Sequence, residues 1–202
     1  RNVDNEVYIL QSHRLMSEVV KRLHLTVNYS VREGLRTADL YGRSPIEVDF
    51  INDNSKQKLS LEVTPLRNGK IELTDFEDKF VTRQETKRVI LAEYGDTVAT
   101  PVGQVVVHKT LFMDSTYLKK PITVIKNSLA ATTNAYRAAV KSDVANKQAS
   151  IVTISMNNSV PRRAEDVINT LIAVYEEDAI ADKRQLSVVT ADFIKERMQV
   201  IG

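Results

Sequence analysis

His13, His24 and His108 are the only imidazoles in this 202-residue chain, so they bound the acid–base and metal chemistry it can hold near neutral pH. A divalent metal needs several imidazoles or carboxylates at ligand spacing, as HExxH supplies on one helix face. No such spacing occurs. His13 and His24 fall on expected helices and His108 on the end of an expected strand, and all three read as surface or packing residues. An activated serine needs the strand-turn-helix elbow GxSxG, which is missing. With no cysteine, thiolate nucleophiles, thiolate metal sites and disulfides are excluded, while cytosol, periplasm and cell surface all stay open. The six glycines stand singly, so neither a Walker loop nor a GxGxxG cradle is available for nucleotide phosphates. The expectation is no catalytic residue, no cofactor and no metal.

Charged residues offer contacts instead of chemistry. Arg162 and Arg163 follow Pro161 at an expected helix start, where an anion could sit, although adjacent basic residues in a first turn are ordinarily solvated. Glu176, Glu177 and Asp178 precede Lys183 and Arg184 on the same helix, a pattern that gives spacing-dependent pairs worth a few tenths of a kcal/mol each. Arg162, Arg163, Glu176, Glu177, Lys183 and Arg184 are therefore candidates for oligomer or helix-start contacts. The formal charge is +2, from 28 basic and 26 acidic residues mixed along the chain, so a nucleic-acid footprint is not expected. Seven tyrosines are dispersed and read as packing residues, with room for one or two to touch a glycan.

Positioning falls first to one element. From Pro161 to Ile201 no interior glycine or proline occurs, and Ala164, Ile168, Leu171, Tyr175, Ala179, Leu186, Val189, Phe193 and Val200 recur at helical spacing. The pattern predicts a single helix, capped by Asn158 or Ser159, that reaches roughly 60 Å at 1.5 Å per residue. The stripe is expected to be buried. Earlier, Asn5–Leu10 and a helix capped by Ser12 with Leu15, Met16, Val19, Val20 and Leu23 inward form a helical lead-in. Leu25–Val31 alternates as a strand.

Residues 45–113 alternate with period two between turn signals at Asp53-Asn54, Asn68-Gly69 and Gly95-Asp96. Strands are expected around Ile46–Phe50, Leu59–Val63, Ile71–Leu73, Val89–Ala92 and Val105–Val107, with Asp96–Gly103 as a turn. Further strands are expected at Ile122–Ile125, Ala138–Ser142 and Ala149–Met156, the last as a central strand covered by helices, and a helix at Asn127–Tyr136. The order suggests an α+β fold in which a small mixed sheet is packed by helices. A discontinuous base, 1–44 and 114–202 with its long helix at 160–202, would carry a β-rich insert at 45–113.

No run approaches the about eighteen apolar residues of a membrane span, no signal peptide opens the chain, and the first residue is arginine. A soluble piece of a longer protein is expected.

The residues also carry a likeness. Asn5-Glu6-Val7-Tyr8-Ile9-Leu10-Gln11-Ser12, then Leu15, Val19-Val20 and Leu23, resembles the opening of the extracytoplasmic domain of polysaccharide co-polymerases, the Wzz-type chain-length determinants. Ala149–Met156 followed by Pro161, Ala164, Val167-Ile168-Asn169 and Leu171 to Tyr175 resembles the strand and helix start of the same family. Gly95–Gly103, with Thr100-Pro101, is similar to a turn of the branch fused to a bacterial tyrosine kinase. His13 stands where that family would carry a basic residue. The resemblance implies a non-catalytic domain at the periplasmic face of the inner membrane, anchored by flanking membrane helices outside these residues. It implies a homo-oligomeric ring that works with a polysaccharide polymerase and export machinery, with polysaccharide itself as a further candidate partner. The products regulated would be O-antigen, capsular or exopolysaccharide chains. For the kinase-fused branch it implies an ATP-dependent protein tyrosine autokinase in a cytoplasmic part. Two other classes fit the residues: a periplasmic adaptor-type scaffold, which requires a second long helix of opposite direction, and an enzyme with an unrecognised site, which requires convergent perturbed acids or histidines.

Overall fold

The computed structural model describes residues 2–53 and 56–201, with side chains described as far as Gln199. Two short helices open the chain. In α1 (Val3–Leu10) Asn2 accepts from Asp4 N–H, and in α2 (His13–Arg22) the Ser12 hydroxyl accepts from Leu15 N–H at 3.3 Å, the cap its sequence suggested. Leu15, Met16, Val19 and Val20 form the buried face of α2.

Eleven strands among the described residues follow the alternation closely. They are β1 (Val27–Glu33), β2 (Arg36–Asp39), β3 (Ile46–Ile51), β4 (Leu59–Pro65), β5 (Ile71–Glu77), β6 (Ile90–Ala92), β7 (Thr97–Thr100), β8 (Gly103–Lys109), β9 (Ile122–Lys126), β10 (Val140–Asn146) and β11 (Ile151–Met156). Between them lie α3 (Arg83–Thr86) and α4 (Leu129–Ala139), and α5 (Pro161–Ile201) closes the chain as 41 unbroken residues. The β4–β5 hairpin turns at Asn68-Gly69 as expected, with Gly69 at φ +81, a backbone that side chains other than glycine's resist. Asn54 of the Asp53-Asn54 turn lies outside the described residues.

The fold is α+β, and its strands sort into three sheets: β2-β1-β9-β4-β5-β6, β3-β8-β7, and the hairpin β10-β11. The first two pack on one apolar core that includes Ile46, Val48, Leu61, Val63, Leu73, Phe76, Val105, Val107, Ile122 and Val124. A second core, with no residue in common, joins α1, α2, α5 and β10 through Leu10, Leu15, Met16, Val19, Val20, Val140, Val167, Leu171 and Val174.

Several expectations change here. The boundaries at 45 and 113 cut through one sheet, because β9 pairs with β1 on one side and β4 on the other. Ile122-Thr123-Val124-Ile125 offers two ladder edges, and strands from both ranges use them. A β unit over 27–126 and a helical base from the flanking residues describe the molecule better. β11 is no central strand: β10 is its sole partner among the described residues, and Ile151 is 48 % exposed. Ala138 belongs to α4, not to a strand. The expected turn at Asp96–Gly103 contains β7, hairpinned to β8 through Thr100-Pro101-Val102-Gly103, and β2 was not expected at all. The apolar stripe of α5 is covered only in its first half, where Leu171 is buried and Ala164, Ile168, Tyr175 and Ala179 are half-buried; residues 181–199 are all exposed. Val200 lies outside the described side chains.

Candidate functional site at the joint between the two units

The β unit meets the base where the chain leaving β2 lies against the first turns of α5. Asp39 ends β2 and makes an Asx turn, its carboxylate accepting from Tyr41 N–H at 2.9 Å. Gly42 follows at φ +69, a backbone that favours glycine, and a Cβ there would stand 3.2 Å from the Arg162 guanidinium carbon, which would have to shift slightly. Across from this turn, Asn158 makes an Asx turn of its own just ahead of α5, accepting from Val160 N–H at 2.9 Å, so its bond falls before the helix and not on the first-turn amides the sequence suggested it would cap.

Arg163, only 7 % exposed, is the centre of the joint. Its Nη2 donates to both Asp39 oxygens at 2.9 Å, its Nη1 reaches Asn158 Oδ1 at 3.4 Å, and its guanidinium lies 4.8 Å from the centroid of the Tyr41 ring. A buried guanidinium costs several kcal/mol to desolvate, and the paired carboxylate with the ring face offsets that cost. The Tyr41 hydroxyl donates to Asp166 at 2.6 Å. Burial first, then that bond to a carboxylate, pushes the Tyr41 phenol well above its ordinary value, so it stays a donor at every physiological pH. Burial raises Tyr136 in the same way.

A second set of contacts clamps α2 on α5. Arg14 holds Asp178 with two hydrogen bonds of 2.7 Å, and Arg22 holds Glu177 at 3.0 and 2.6 Å. These bonds draw the Asp178 and Glu177 carboxyls below their usual range. The Tyr175 hydroxyl donates to Glu6 of α1 at 2.6 Å, closing the third side of the base.

Of the six residues singled out from sequence, Arg162 and Arg163 come together at the joint and Glu177 at the clamp. Glu176, Lys183 and Arg184 are exposed and make no ion pair among the described residues. Arg163 is buried and paired, against the solvated reading of adjacent first-turn arginines. Asp39, Tyr41, Asp166, Arg14 and Arg22 complete these contacts, although the sequence alone does not single them out as candidate contacts. An aspartate two residues before a tyrosine and three before a glycine marks an Asx turn, but its distant arginine leaves no trace in local pattern.

The histidines stay apart: His13 and His24 are exposed, and His108 faces Asp49 at 3.3 Å on the outer side of β8. Among the described residues no three His, Asp or Glu side chains converge as a metal site requires, and no helix is long and apolar enough to cross a membrane. No known family model matches the sequence, and no curated protein aligns with it significantly.

Proposed function

We propose that this chain is the extracytoplasmic domain of a polysaccharide co-polymerase, a non-catalytic regulator of capsular, exopolysaccharide or O-antigen chain length. It acts at the periplasmic face of the inner membrane as a ring of identical copies, alongside a polymerase and export machinery. The observation that carries the proposal is α5: a helix clamped on the base over its first half and bare over its second, with Leu186 at 68 %, Val189 at 59 % and Phe193 at 56 % exposure. Apolar rows of that kind seek a neighbour, and copies arranged about an axis supply one from each adjacent α5.

The residues of the likeness occupy defined places that support the reading. The opening motif forms α1 and the cap and buried face of α2, and the later one forms β11 and the docked half of α5. Gly95–Gly103 forms β7 and its hairpin turn, where the Thr100 hydroxyl donates to Gly103 O at 2.6 Å and accepts from Val102 N–H at 3.2 Å. That turn is the link to the kinase-fused branch, whose autokinase would reside in a separate cytoplasmic part. An adaptor hairpin calls for a second long helix, and the next longest among the described residues, α4, has 11 residues.

Mass photometry of the parent chain in nanodiscs tests the proposal. A closed oligomer is expected, and Leu186→Asp should shift it toward smaller species without unfolding the domain. A parent chain that is monomeric at all concentrations would overturn it.

A further inference from the structure

A cleft of about 500 Å3 opens beside the joint, between the start of β1, the free edge of β3 and the first turns of α5. That volume lies within the roughly 300–1,000 Å3 usual for ligand sites. Among the described residues β3 is an edge strand, paired only with β8, yet its rim is already occupied: Val48 N–H donates to the Tyr29 hydroxyl at 2.9 Å, and Ile46 N–H and C=O both bond the Ser44 hydroxyl. An added peptide strand would find those groups taken.

The walls carry three cations, Arg43, Lys126 and Arg163, and three carboxylates, Glu47, Asp49 and Asp166. Opposed charges in equal number give a charged ligand no net gain. Hydroxyl groups suit both sets, because each can donate to a carboxylate and accept from a guanidinium or ammonium. Tyr29, Phe50 and half-exposed Phe112 add aromatic surface on which the C–H face of a ring can lie. We infer that this cleft binds a neutral, polyhydroxylated ligand, of which one or two sugar rings are the class of best fit. The preference for a sugar over other neutral polyols rests on the co-polymerase reading; the neutral, hydroxylated class rests on the walls alone.

Saturation-transfer NMR on the isolated chain, with maltose, lactose, mannobiose, N-acetylglucosamine and sorbitol at millimolar concentration, tests the assignment. Transfer to at least one of these probes is expected, accompanied by amide shifts within residues 25–50. The transfer should fall several-fold in Asp49→Asn and in Phe112→Ala, both at exposed positions where folding is retained. Silence from every probe, stronger transfer to glucuronate or glucosamine, or full transfer in both variants would overturn it. A ring-forming parent with a silent cleft would sink the sugar site alone; a responsive cleft in a monomeric parent would sink the co-polymerase reading and leave the neutral-ligand site standing.

Discussion

Along α5, Val167, Leu171 and Val174 lie buried against α2 and the rest of the base, whereas Leu186, Val189 and Phe193, spaced as regularly further along, are more than half exposed. Periodicity decides which side chains share a helix face. Whether that face is covered depends on a partner surface, which α2 provides at the Arg14–Asp178 and Arg22–Glu177 clamps and nothing provides beyond Ala181 among the described residues. The bare half is held differently. Helix nucleation is the costly step, and the docked half has already met it, so residues such as Ala181, Lys183, Arg184 and Gln185 extend the helix by propensity alone.

The contrast can be broken by mutation. Leu171→Asp places an unpaired charge in the base core, where loss of several kcal/mol is expected by urea denaturation; an unchanged midpoint would mean the first half is not docked. Next in size is the joint. Asp39→Asn leaves the nine-tenths buried Arg163 facing a neutral amide, and because Asp39 is itself a third exposed the expected loss is about 2 kcal/mol rather than more.

Smaller still is the clamp, which sharpens the comparison through pH and salt. Asp178 and Glu177 titrate below their ordinary values of 3.8 and 4.5 in the folded chain. Their contribution is therefore full above those values and is lost as pH falls through the lower, folded ones. A modest drop in melting temperature is expected on that descent, shrinking in high salt, and Arg14→Gln with Arg22→Gln should flatten it. Smallest is Leu186→Asp in the isolated chain, expected within about 0.5 kcal/mol of the parent. An effect equal to that of Leu171→Asp would erase the distinction between the two halves.

Much of the fold was legible because it rests on local pattern. Alternation located β3, β4, β5 and β9 to within a few residues, Ser12 marked the start of α2, and the stripe with no glycine or proline marked α5. β2 was hidden because Arg36-Thr37-Ala38-Asp39 carries no apolar alternation; it is a strand because β1 offers it a ladder. β7 was hidden by its flanking turn residues. β11 looked central because Ile151, Val152, Ile154 and Met156 are apolar, but the two-stranded hairpin leaves one face open. The sequence singles out Arg162, Arg163 and Glu177 as candidate oligomer or helix-start contacts, but not the partners they meet within the chain. Asp39 and Arg163 are 124 residues apart, and no periodicity links a turn carboxylate to a helix-start guanidinium at that separation.

The clamp and the bare half together make α5 a pointer. Beyond Ala181 about 27 Å of helix projects at 1.5 Å per residue, with no side support from the described residues. A tilt of about 10° at the docked end would swing the far end by roughly 5 Å, close to one helical pitch. A small repacking between α2 and α5 would thus be magnified at a distance, as a dial needle magnifies the turn of its spindle.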